Sequence, residues 1–220
     1  MPELNFLATY QNATKRDYVA RVTAFDKAAC ATVARQWGAD YWDGARQYGY
    51  GGYHYDGRWR PIADAIARHY KLQAGDRVLD VGCGKAFLLY ELTQAVPGLE
   101  VEGIDLSAYA IAHAKPEVQS HLQIGNATSL PFADHSVDLV LSLNTLHNLE
   151  IFDLATAVKE INRVGKKNKW ICVESFRDEK QKVNLLYWQL TCLSFFTPTA
   201  WAYLLKEWGY DGDYGFIFFD

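Results

Sequence analysis

The sequence predicts a doubly wound α/β domain, with helices on both faces of a mostly parallel sheet. Three observations carry that expectation. First, residues 77–92 pass from an apolar run ending in Asp80, through Gly82 and Gly84, into Leu88-Leu89-Tyr90-Glu91-Leu92, the pattern of a buried strand, a tight turn and a helix start. Second, further apolar runs at 99–104, 121–124, 137–143 and 170–174 read as strands separated by helical segments. Third, the run Val-Asp-Leu-Val-Leu-Ser-Leu at 137–143 is apolar on both faces, as a strand buried in a parallel sheet requires.

The glycine turn points to a ligand. Gly82 and Gly84 let the backbone turn sharply and approach a bound molecule closely. The dinucleotide fingerprint needs a third glycine three positions after the second, and Phe87 stands there. Asp80 would also sit badly beside a pyrophosphate, whereas a cofactor carrying a sulfonium and an ammonium would welcome its carboxylate. Spacing and charge therefore favour S-adenosylmethionine over NAD. Asp105 lies 23 residues after Gly82, at the spacing where an acid accepts from both ribose hydroxyls.

Asp80-Val81-Gly82-Cys83-Gly84 resembles the first motif of the class I S-adenosylmethionine-dependent methyltransferases. The resemblance covers roughly residues 78–174. It implies a seven-stranded doubly wound sheet whose last strand is antiparallel, or a shortened form of it, and S-adenosylhomocysteine as the product. It also implies a cofactor site of Asp80, Gly82, Cys83, Gly84, Asp105, Leu106, Asn126, Ala127 and Leu143, with Leu106 flanking the adenine. The chain departs from the family at Ala86, where many members have glycine, and at Asn126, where an acid is common.

The chain is read as one domain, 1–220, in which 1–60 caps the cleft and 61–220 binds the cofactor. Residues 14–37 carry apolar side chains at three- and four-residue steps and read as one amphipathic helix, either over the cleft or packed on the sheet edge. Residues 41–60 hold five glycines and seven aromatics, so a loop is expected. Its rings could stack on a ligand or pin the loop to the core. A helix is expected from Pro61 to Gly75, and others at 107–114, capped by Ser107, and at 151–164.

The methyl acceptor is expected beyond the carboxyl ends of the strands. Candidate contacts are Tyr50, Tyr53, Tyr55, Arg58, Trp59, Asn144, Asn148 and Arg177, with Arg46 able to join Arg58 on a carboxylate or phosphate. His147 is the candidate general base, being the histidine placed at a strand's carboxyl end, and His54 is held in reserve. Cys83 reads as filler in the turn. No metal is expected, because the acidic cluster of metal-dependent catechol-type enzymes is missing.

A net charge of −4 argues against nucleic acid as the main partner, and the basic run Lys166-Lys167-Asn168-Lys169 reads as a solvated turn. Four scattered cysteines suggest reduced thiols and a cytoplasmic setting. The uncharged stretch 185–205 reads as two helices rather than a membrane span, since Thr197-Pro198 is a helix-start pair. The aromatic segment 213–219 reads as an edge strand open to cover by a partner or a second copy. The reading is therefore transfer of a methyl group to a small molecule, at an oxygen of an anionic or sugar-like metabolite. A non-catalytic cofactor-binding subunit and an NAD-dependent oxidoreductase are the alternatives.

Overall fold

Side chains along the central strands point alternately into two apolar layers, and this alternation sets the architecture. Leu139, Leu141, Trp170 and Cys172 face one layer, whereas Val140, Ile171 and Val173 face the other. A computed structural model describes residues 1–7 and 16–220. Its sheet holds β1 (Arg77–Val81), β2 (Glu100–Asp105), β3 (Leu122–Ile124), β4 (Val137–Leu143), β5 (Gly165–Glu174) and β6 (Asp213–Ile217) in the order β3-β2-β1-β4-β5-β6. All neighbouring pairs are parallel.

One layer packs against α4 (Arg60–Tyr70), α5 (Phe87–Ala95) and α9 (Glu179–Trp188) through Ile62, Ile66, Leu89, Leu92 and Leu185. The other packs against α8 (Ile151–Val164) and α10 (Pro198–Glu207) through Leu154, Val158, Ile161, Trp201 and Leu205. Shorter helices complete the described chain: α1 (Tyr18–Thr23), α2 (Lys27–Ala34), α3 (Ala39–Trp42), α6 (Ala108–Ala112) and α7 (Pro116–Gln119). The strand order reverses between β1 and β4, which opens a crevice at their carboxyl ends.

Among the described residues the sheet has six strands, the shortened form allowed for by the sequence. Several other expectations are corrected. β6 runs parallel to β5, not antiparallel, because the intervening α10 supplies the crossover that a parallel connection needs. The outer edge of β6 is met by the chain's own beginning, where Leu4 N–H donates to Tyr214 O at 2.7 Å and Tyr214 N–H donates to Pro2 O at 3.2 Å. Phe216 and Phe219 are buried in the core, so they do not form the exposed aromatic face expected of this segment.

The helix expected over 14–37 is two helices, with 14 and 15 outside the described residues. Asp26 breaks it, because its side chain accepts from Ala28 and Ala29 N–H and starts α2 afresh. Likewise α4 stops at Lys71, whose φ of 54° is left-handed, well before Gly75. The basic run lies within β5 rather than in a turn. Lys166 pairs with Asp138 at 2.9 Å, and buried Lys169 pairs with Asp211 at 2.6 Å. The stretch 185–205 divides into the end of α9 and the start of α10, and Thr197 accepts from Ala200 N–H as the helix cap. Among the described residues no helix is long and apolar enough to cross a membrane.

Candidate functional site

The glycine turn is built by the sheet on one side and the cap on the other. Gly82 and Cys83 N–H both donate to Ile104 O, at 2.7 and 3.1 Å, which folds the loop over the end of β2. Gly82 has φ +85°, and a Cβ there would collide with Thr145. At Gly84, with φ +55°, a Cβ would meet the Trp42 ring at 2.8 Å. Ala86 opens α5 at φ 56°, a left-handed conformation that costs a non-glycine residue about 1–2 kcal/mol.

Asp105 braces this loop. Its two carboxylate oxygens accept from Gly84 N–H and Ser107 N–H, each at 2.8 Å. Burial raises its pKa, while these two bonds pull it down. Ser107 then ties the cap to the core. Its hydroxyl accepts from Trp42 Nε1 at 2.9 Å and from Ala110 N–H at 3.0 Å, and donates to Trp37 O at 2.5 Å. Ser107→Ala is therefore expected to lower stability by about 1–3 kcal/mol, read as a shifted urea midpoint with unchanged slope.

The aromatic stretch forms a stack over the loop. Trp42 lies parallel to Tyr50 with centroids 5.4 Å apart, Tyr50 packs on Tyr53 at 4.5 Å, and Tyr53 stacks on Phe87 at 4.9 Å. A buried ion pair fastens it. Lys85 Nζ donates to both oxygens of Asp43 at 2.7 Å and to Tyr53 O at 2.9 Å. Asp43 also accepts from Tyr109 Oη at 2.9 Å and Tyr53 N–H at 3.1 Å. The sequence reading passed over both residues. A lysine next to Gly84 was the available signal, but its partner lies 42 positions away.

Beneath the stack lies a cavity of about 150 Å³. It is lined by all nine residues expected to hold the cofactor: Asp80, Gly82, Cys83, Gly84, Asp105, Leu106, Asn126, Ala127 and Leu143. Two carboxylates face it, and among the described residues no Lys, Arg or His lines it. Asp80 Oδ1 is buried without a hydrogen-bond partner, and burial together with the Asp105 charge pushes its pKa up to about 7. Leu106 is 52% exposed at the rim, placed to cover a flat ring. The Asn126 side-chain oxygen accepts from Thr128 N–H at 3.0 Å, leaving its second lone pair for a ligand. Burial raises the Cys83 thiol well above its ordinary range, which suits a filler rather than a nucleophile. A cofactor with a sulfonium and an ammonium fits this donor set, and a pyrophosphate does not.

A second cavity of about 370 Å³ adjoins the first. Tyr41, Tyr50, Tyr53, Asn144 and Asn148 line both. Arg58, His147 and Glu174 line the second alone, whereas Trp59 lines the first, on the donor side. Arg58 Nε is held by Asp56 at 2.6 Å. His54 and Arg46 also reach the second cavity.

Two expected acceptor contacts lie outside both cavities. Tyr55 stays at the surface, 39% exposed, where its hydroxyl donates to Glu91 at 2.6 Å and its ring packs on Phe87 and Tyr90. Arg177 lies over the Phe218 ring at 4.1 Å and beside Asp220 at 3.5 Å. His147 sits at the predicted end of β4, but its surroundings count against the proton-accepting part. Its Nδ1 accepts from Glu174 N–H at 3.3 Å, and burial pushes its pKa down to about 3. A base so weak at neutral pH contributes little. Glu174, which the sequence reading saw as no more than the end of a strand, faces it. Burial raises this carboxyl to about 8.

Residues 79–173 match the family model described as a methyltransferase domain. The match spans β1 to β5, and with the parallel sheet, the flanking helices and the glycine turn closing β1 it supports a core of the class I methyltransferase fold. The chain is similar to two enzymes named demethylmenaquinone methyltransferase. That of Alkalihalophilus pseudofirmus is 37% identical over 125 residues, covering 53% of this chain and 51% of its own length. That of Bacillus cytotoxicus is 33% identical over 148 residues, covering 62% of each. The chain thus spans about half to three fifths of the curated relatives it matches. In fold it resembles a Methanosarcina mazei structure titled as SAM-dependent methyltransferases, with a TM-score of 0.53, 23% identity and coverage of 65% of this chain and 82% of that one.

Proposed function

We propose that the chain transfers the methyl group of S-adenosylmethionine to a small-molecule acceptor, at an oxygen of an anionic or sugar-like metabolite. One observation supports this above all. The first cavity presents two carboxylates, one of them with an unpartnered buried oxygen, to a ligand of positive charge. When bound, the cofactor supplies a methyl carbon activated by its sulfonium. Asp80 holds the positively charged end, Asp105 receives the ribose hydroxyls, and Leu106 covers the adenine. The aromatic cap excludes water from the donor. Asn144 and Asn148, which border both cavities, align the acceptor behind the methyl.

The curated relatives named above bear the name of a quinone-ring methyltransferase, so methylation of a ring carbon is the second reading. The polar character of the second cavity favours the first. Isothermal titration with S-adenosylhomocysteine tests the donor site. Micromolar binding, about −8 kcal/mol, is expected, and no detectable heat with pure folded protein would reject the proposal.

A further inference from the structure

The floor and the rim of the second cavity ask for opposite things from a ligand. On the floor, Glu174 Oε2, Asn144 Oδ1 and Asn148 Oδ1 are buried acceptors without a hydrogen-bond partner among the described residues. Buried polar atoms are nearly always paired, so three together in one cavity call for donors from outside the chain. Glu174 is 5% exposed, and its other oxygen accepts from Gln189 Nε2. The His147 ring does not satisfy it, because the 3.5 Å approach of Nε2 to Oε2 falls short of a hydrogen bond.

The rim is cationic. The guanidinium groups of Arg16, Arg21 and Arg46 gather over the single Trp188 ring, at 5.6, 5.4 and 5.1 Å from its centroid. Burial lowers the pKa of Arg21, and the nearby Arg46 charge adds to the effect. Among the described residues Glu174 is the one acid lining this cavity.

We propose that Glu174 is the specificity-determining residue of an acceptor site that takes a hydroxylated acid, a polyhydroxy carboxylate or sugar phosphate. Its hydroxyl donates to the floor at Glu174, and its anionic group lies against the arginine rim. This rests on the reading of the second cavity as the acceptor site. It narrows that reading, because a neutral ring with an apolar tail satisfies neither the floor nor the rim.

The test is calorimetry on the full chain saturated with S-adenosylhomocysteine, with D-gluconate and glucose 6-phosphate as probes and D-glucose and phenol as neutral controls. At least one anionic probe is expected to bind about tenfold or more tightly than either control. Glu174→Leu should weaken that probe about tenfold and Glu174→Gln much less, with S-adenosylhomocysteine still bound by both.

A pH series separates this from a structural role. The groups facing Glu174 are His147, Arg16, Tyr41, Cys172 and Cys192. Burial keeps the histidine neutral and raises the phenol and both thiols, so none of these four changes charge as Glu174 ionises through about pH 8. Moving from about pH 7 to about pH 9 should change the affinity for the anionic probe in the wild type, as the floor passes from a neutral carboxyl to a carboxylate, and leave it unchanged in Glu174→Gln. That arm decides the matter if Glu174→Leu fails to fold. The proposal is overturned if a neutral control binds as well, if neither anion binds, or if the pH effect survives in Glu174→Gln. Loss of S-adenosylhomocysteine binding by the wild type would instead sink the donor-site reading.

Discussion

Asp43→Ala is expected to lower stability by about 3–5 kcal/mol and to abolish binding of S-adenosylhomocysteine. The size follows from an asymmetry in burial. Lys85 is 3% exposed, so its ammonium has no route to water once the carboxylate is gone. What remains is one bond to a neutral acceptor, Tyr53 O at 2.9 Å, and the Tyr109 ring 5.9 Å away. Tyr109 and the Tyr53 N–H lose their acceptor in the same step. The converse variant should be milder. In Lys85→Met the Asp43 carboxylate is left half-exposed, still accepts from Tyr109 and Tyr53, and can be rehydrated. Urea unfolding of the two variants measures the difference. Midpoints equal to the wild type's would show that the pair is not the fastening of the cap, and equal losses in the two variants would remove the asymmetry.

Asp80→Asn should weaken S-adenosylmethionine about ten- to a hundredfold, the contribution of a charge-assisted buried contact. A pH signature goes with it. Burial and the Asp105 charge hold the Asp80 carboxyl at about 7, so it is half-protonated in the unliganded chain near neutrality. A cation binds the ionised form. Affinity should therefore fall below about pH 7, approaching tenfold for each further pH unit, and association near neutrality should release a proton. Asp80→Asn should flatten that dependence.

Stability of the free chain responds in the opposite sense. Between the ordinary carboxylate range and about pH 7 the folded state binds more protons at Asp80 than the unfolded state, so its share of stability falls as pH rises through that window. Asp43, Asp138 and Glu160, whose pKa values are lowered, slope the other way. The difference between wild type and Asp80→Asn isolates the Asp80 part. Identical titrations with S-adenosylmethionine from about pH 5 to about pH 8 would rule the assignment out.

The cofactor side was legible because its signals are local. A carboxylate, two glycines and an acid at fixed spacing lie on consecutive parallel strands, and the sheet brings those strand ends together whatever the rest of the chain does. The bounds of β4 and α8 also follow from their apolar patterns alone. The acceptor side was less legible because long-range packing decides it. Composition announces that 41–60 is rich in rings, but not that Tyr55 turns towards Glu91 while Tyr50 and Tyr53 face the cavities. The Asp43–Lys85 pair and the environment of Glu174 depend on contacts between segments far apart in the chain. The break at Asp26 was visible as a capping residue, yet the apolar periodicity on both sides of it concealed the interruption.

The bond between Leu4 and Tyr214 has a consequence for how the molecule folds. The contact joins segments far apart in the chain, so this part of the sheet rim is a long-range pairing that closes late in folding. Until it closes, Trp170, whose indole N–H donates to Leu4 O, is left partly uncovered.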